Sequence, residues 1–174
     1  MQLKSILNSV EKHKGFVYRD IKWDTAATDK TLLVHVAHRK GSRGYCSDCG
    51  TRGRTYDTLD SRRFQFVPLW NILVFFVYAM RRIDCKFCGP TVEMVPWAEG
   101  KKRITKSFEW FLAGWAKRLV WKDVAGAFSP SWDTVFAPLR WPLTGAGLAL
   151  ILRVLPRSVL TRYIGAKAMR KENL

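Results

Sequence analysis

Carboxylates are scarce in this sequence. Fourteen Asp and Glu stand against 30 Lys and Arg, a formal net charge of +16 over 174 residues. An excess that large needs a polyanion or a membrane surface to balance it, and nucleic acid is the commoner answer. The shortage also argues against a metal-dependent nuclease, which gathers acids around its ions. Histidines are few, and His13, His35 and His38 have no ligand spacing with the cysteines. They read as ordinary surface or strand residues. Long apolar runs are missing too. The stretch Val67 to Met80 is uncharged, but it contains Pro68 and Asn71 and is fenced by Arg62-Arg63 and Arg81-Arg82. It falls short of the roughly 18 to 20 apolar residues that a spanning helix needs. Met1 to Val10 has neither a long apolar core nor a small-residue cleavage site, so it does not read as a signal peptide. These absences predict a cytoplasmic chain with no membrane partner and no small-molecule substrate. A hydrophobic content of 48% excludes a disordered tail.

Hydrophobic periodicity then places the elements. Residues 2–12 suit a short helix. Phe16 to Trp23 and Thr31 to His38 read as strands, the second with Leu32, Val34 and Val36 on one face. Lys40 to Gly53 is rich in Gly, Ser and Arg and reads as a loop or knuckle. Arg62 to Val67 alternates until Pro68 interrupts it, and the β-branched and aromatic run from Ile72 predicts a buried strand. After Gly100 the period lengthens. Ile104, Phe108, Phe111, Leu112, Trp115 and Leu119 form one helical stripe, with Thr105 as its N-cap. No internal repeat is visible.

Only four cysteines occur, and all fall in two C-x2-C pairs: Cys46 with Cys49, and Cys85 with Cys88. Two residues between ligands let a tight turn aim both thiolates at one ion, and two such turns complete a tetrahedral site that suits zinc. Gly50 and Gly89 follow the pairs, where each turn wants a positive φ. Buried thiols or disulfides are the weaker alternative in a reducing compartment. The zinc expected here is structural, since no open position or nearby base accompanies it. The 35 residues between the pairs exceed ordinary ribbon spacing, so residues 54–84 must form a folded hairpin.

A short helix around Trp121 to Phe128, the turn Ser129-Pro130, and a helical start at Ser131 have helix-turn-helix spacing. Val124, Phe128 and Val135 are apolar where two helices would meet a third, and Ala125 is small where they would cross. Trp110, Trp115 and Trp121 are assigned to the core. The groove-facing candidates are Ser131, Trp132, Asp133 and Phe136. Lys101, Lys102, Arg103, Lys106 and Lys122 are candidates for backbone phosphates, joined by Arg140 in the same DNA-binding set.

Four segments occur in linked order: Tyr45 to Gly50, Arg81 to Gly89, Val95 to Thr105, and Val124 to Val135. That order resembles insertion-sequence transposases of the ISL-three type over about residues 30–137. The resemblance implies that the four cysteines bind zinc and that the module recognises the terminal inverted repeats of a mobile element. It also implies a catalytic domain with three metal-binding acids, yet only Glu172 is acidic after Asp133. Pro138, where the recognition helix should run on, begins a Leu-, Gly- and Arg-rich tail that suggests a frameshift.

The expected fold is α+β: a small zinc-ribbon-like β module followed by a three-helix helix-turn-helix domain and a poorly defined tail. Its expected segments are 1–40 (helix and strands), 41–98 (zinc module), 99–141 (helix-turn-helix) and 142–174 (tail). The expected function is a non-enzymatic, truncated transposase fragment with double-stranded DNA and a full-length transposase as partners. Alternatives are a small zinc-ribbon and helix-turn-helix transcription regulator, or a zinc-ribbon RNA-binding protein.

Overall fold

The computed structural model describes residues 2–116, 119 and 121–128. The chain divides into two compact units, Met1–Phe108 and Glu109–Leu174. The first is built on a sheet. After helix α1 (Leu3–Val10) come β1 (Phe16–Trp23), β2 (Thr31–His38), β3 (Gly44–Tyr45), β4 (Arg52–Leu69), β5 (Ile72–Cys85) and β6 (Gly89–Val92). The order is β1-β2-β5-β4-β3, with β6 also on β5.

Strand β5 is the axis of this sheet. One edge pairs antiparallel with β4 from Arg54↔Asp84 to Leu69↔Ile72. The other pairs parallel with β2, from Thr31↔Leu73 to His35↔Val77, and then antiparallel with β6, from Arg82↔Val92 to Cys85↔Gly89. A strand covered on both edges suits the β-branched and aromatic run of Ile72 to Tyr78. The β4–β5 turn passes through Trp70 (φ 49°) and Asn71 (φ 64°). Two consecutive left-handed residues mark the two-residue hairpin turn that matches strand twist. Contrary to expectation, Pro68 does not end the strand. It lies where the register shifts between Phe66 and Leu69, and a bulge tolerates a residue without an N–H.

One face of the sheet carries the core. Tyr18, Leu32, Val34, Val36, Phe64, Phe66, Val74, Phe76, Tyr78 and Met80 are buried there with Leu7 of α1. Trp97 closes the cluster, with its ring centroid 4.8 Å from Phe16 and 5.3 Å from Tyr78, both edge-on. Such ring pairs contribute about 0.5–1.5 kcal/mol each beyond area burial. The chain then returns beside β4, where Gln65 N–H donates to Arg103 O and Thr105 N–H to Gln65 O.

Helix α2 (Lys106–Ala116) starts at the expected cap: Thr105 Oγ1 accepts from Phe108 N–H at 3.3 Å. Helix α3 covers Trp121–Phe128. Within the second unit the rings of Phe111 and Trp115 lie 4.9 and 5.7 Å from Phe128. Among the described residues no helix is long and apolar enough to cross a membrane.

The expected architecture needs correction. Strand dominates the described residues, with six strands against three short helices, and the chain is not a small ribbon followed by a three-helix domain. Strands β1 and β2 join the same sheet as the cysteine-bearing hairpins. Local periodicity located the strands but could not reveal the parallel β2–β5 pairing, which spans the whole β3–β4 excursion. The helix expected from Ser131 lies outside the described residues. Trp110 and Trp115, assigned to the core, are 74% and 40% exposed. The buried stripe runs through Ile104, Phe108 and Leu112. Trp110 falls off it, whereas Trp115 continues it at the end of α2 and is covered only in part, by Phe111 and Phe128.

Strand β4 packs closely on β5 at one glycine. A Cβ on Gly53 would stand 2.7 Å from both Asp84 O and Ile83 Cγ2. Because Asp84 O is backbone and Ile83 is fully buried, neither yields easily. Gly53→Ala is expected to cost about 1–3 kcal/mol, as overpacking does. A urea unfolding midpoint unchanged from the parent would refute the tight contact.

Candidate metal centre

The register of the sheet brings the two cysteine pairs to one end. Strands β3 and β4 pair through Gly44↔Gly53 and Tyr45↔Arg52, so Cys46 and Cys49 lie in the connection between them. Cys85 ends β5, and Cys88 lies in the turn to β6. Because Arg54 pairs with Asp84, the two turns are neighbours. Gly50 and Gly89 have φ of 71° and 75°, as the spacing predicted. Gly50 N–H donates to Cys46 O at 3.0 Å, and Cys46 N–H to Thr51 O at 2.8 Å, which closes the first knuckle.

The four Sγ atoms lie within 4.8 Å of one another, an arrangement compatible with a zinc site. A tetrahedron with Zn–S bonds of about 2.3 Å has S···S edges of about 3.8 Å. Cys49 and Cys85 approach to 3.4 Å, close to such an edge and far beyond the roughly 2.05 Å of a disulfide. All four are free thiols, with Cys46 and Cys85 buried and Cys49 and Cys88 exposed. Soft thiolates in this number suit zinc, which would cross-link the two hairpins.

Crowding divides the thiols electrostatically. The Thr91 hydroxyl, 3.1 Å from Cys46 Sγ, and then the Cys49 backbone N–H lower the Cys46 pKa to about 6. The Thr51 hydroxyl chiefly lowers Cys49. Cys88 is pushed up to about 12, first by its hydrogen bond with Cys49 and then by burial. A bound divalent ion would bring all four to the thiolate form.

A buried ion pair underpins the first knuckle. Arg81 Nε and Nη2 donate to Glu93 Oε2 at 2.9 and 2.7 Å, and Arg81 N–H donates to Oε1. The Tyr78 hydroxyl also donates to Oε1, and burial pushes that phenol well above its usual pKa. Arg81 Nη1 reaches Ser42 O in the approach to β3. The two side chains are 2% and 0% exposed. Glu93 bridges Cys46, and Met94 N–H donates to Tyr45 O. Sequence reading missed this pair, since a buried Arg and Glu look like surface charges in a string of letters. Thr91 and the cations beside the knuckle were missed likewise.

The structure describes only part of the expected DNA-contact set. Lys101 and Arg103 are exposed, and Lys102 is partly buried. Lys106 Nζ lies 3.4 Å from a Glu99 carboxylate oxygen. Lys122 falls in α3, though its side chain is outside the description. Ser131, Trp132, Asp133, Phe136 and Arg140 lie outside the described residues.

No protein-family profile matches the chain. No solved structure matches it significantly either. Two curated relatives do, both named transposase for insertion sequence element IS1557, from Mycobacterium tuberculosis strains CDC 1551 / Oshkosh and ATCC 25618 / H37Rv. Each is 26% identical over 133 residues, covering 68% of this chain. The chain spans 30% of the length of these relatives. At that distance, the chain is related to an insertion-sequence transposase.

Proposed function

We propose that this chain is a DNA-binding module of a transposase-like protein, recognising the ends of a mobile element, with Cys46, Cys49, Cys85 and Cys88 holding one structural zinc. The observation that carries this reading is the distant match to the IS1557 transposases over 68% of the chain. A net charge of +16 and the four-thiol cluster support it. The reading assigns recognition rather than strand transfer to this stretch, since only Glu172 is acidic after Asp133. Phosphate contacts would set affinity and salt dependence, while contacts to base edges would set sequence preference.

The test is a salt-titrated binding series on a duplex carrying a terminal inverted repeat, on a scrambled duplex, and on a structured RNA. Specific binding is expected to exceed binding to the scrambled duplex by roughly 10³-fold or more. The logarithm of the affinity should fall linearly with the logarithm of salt, by roughly 0.9 per phosphate contact. Preference for the RNA would replace this reading with the RNA-binding alternative.

A further inference from the structure

The first unit holds a groove of roughly 890 Å³ between the α1–β1 connection, the β2–β3 connection and the start of β4. Lys12, Lys14, Arg39, Arg43 and Arg52 line it, and no carboxylate does. We infer that this groove is a binding track for the phosphodiester backbone of duplex DNA. The inference rests on the proposed DNA-binding function and gives it a location that sequence reading did not anticipate.

Three observations support the assignment. First, the charge is uncompensated. Among the described residues Lys12, Lys14, Arg39 and Arg43 are exposed and have no carboxylate partner. Glu11, the acid beside them in sequence, is turned against His13 at 3.4 Å. Cations gathered without counter-charges repel one another, and a row of phosphates relieves that repulsion while releasing counterions.

Second, the walls are held in place before any ligand arrives. Arg39 N–H donates to Gly15 O at 2.8 Å, which ties the two connections together, and Ser42 N–H donates to Arg39 O at 2.9 Å. The buried Arg81 fixes Ser42 O at 2.8 Å. A preformed backbone loses little conformational entropy on binding.

Third, the groove adjoins the first cysteine knuckle. Tyr45 and Arg52 face each other across β3 and β4, and Arg52 Nε and Nη2 donate to the Tyr45 hydroxyl at 2.9 and 2.7 Å. Tyr45 directly precedes Cys46. A fixed guanidinium and an exposed phenol at one end of a basic groove suit contacts to phosphate and sugar.

The test compares two charge-matched variants of the full chain on a short duplex of arbitrary sequence. Arg39→Gln/Arg43→Gln removes two groove cations. Lys22→Gln/Lys30→Gln removes two exposed lysines from the opposite end of β1 and β2, about 20 Å along the strands at roughly 3.3 Å per residue. The groove variant is expected to reduce the salt slope by roughly 1.8 and to weaken binding roughly 25-fold near 0.15 M salt. The distant pair should change affinity by less than about twofold. Lys12→Gln/Lys14→Gln, on the other wall, should behave like the first variant and provides a second arm if that one fails to fold. Equal losses for groove and distant variants would overturn the groove while leaving DNA binding intact. Failure of the parent chain to bind any duplex would overturn both.

Discussion

Removing metal from the four-cysteine site is expected to unfold the end of the sheet that carries β3 and β6. Purified protein should hold about one zinc per chain, and chelation should lower stability by several kcal/mol. Structural zinc contributes about 10–16 kcal/mol in finger peptides. The loss should be smaller here, because the aromatic core around Trp97 stands apart from the thiols. The exposed cysteines make the sharpest arm. Cys49 and Cys88 are exposed, and without a metal a Ser at either position would change stability by no more than about 0.5 kcal/mol. With a metal, Cys49→Ser should abolish stoichiometric zinc and lower the thermal midpoint as far as chelation does. Full zinc content in a variant lacking all four cysteines would end the assignment.

Glu93→Ala should cost about 3–5 kcal/mol, because it strands the Arg81 guanidinium in a site where that side chain is only 2% exposed. Its Nε and Nη2 would lose their carboxylate, and the Tyr78 hydroxyl would lose its acceptor. Unpaired buried charge is worse than no charge. The double variant Arg81→Met/Glu93→Leu should therefore lose less stability than Glu93→Ala alone. Denaturant unfolding of the parent and both variants measures this. A Glu93→Ala loss below about 1 kcal/mol would mean that water reaches Arg81 and that the pair is not a keystone. Because Cys46 bridges Glu93 and Arg81 holds Ser42, Glu93→Ala should also release zinc faster to a chelator.

Much of the local structure was legible from letters. The bounds of β2 follow from alternation of period two, which exists wherever one strand face is buried. The capping role of Thr105 and the positive φ of Gly50 and Gly89 follow from local backbone chemistry. The length of β4 was not legible. Pro68 reads as a stop, and only a bulge opposite β5 lets the strand run through it to Leu69. The indole of Trp110 was misjudged because hydrophobic type alone does not say which face of a helix is covered.

The candidate site divides along the same line. By itself the sequence picked out the four candidate ligands and determined the turn chemistry of each cysteine pair, because both depend on neighbours two or three residues apart. It also determined the excess of cations on which the proposed anionic partner rests. Only the tertiary structure decided that the two turns meet, since their approach requires the 14-residue β5 to pair with β4 in one register. It alone decided that Arg81 and Glu93 are buried partners, and that Lys12, Lys14, Arg39 and Arg43 share one groove. These residues lie far apart in the chain. Charge carries no local periodicity that would announce their pairing, and long-range strand registry is what brings them together.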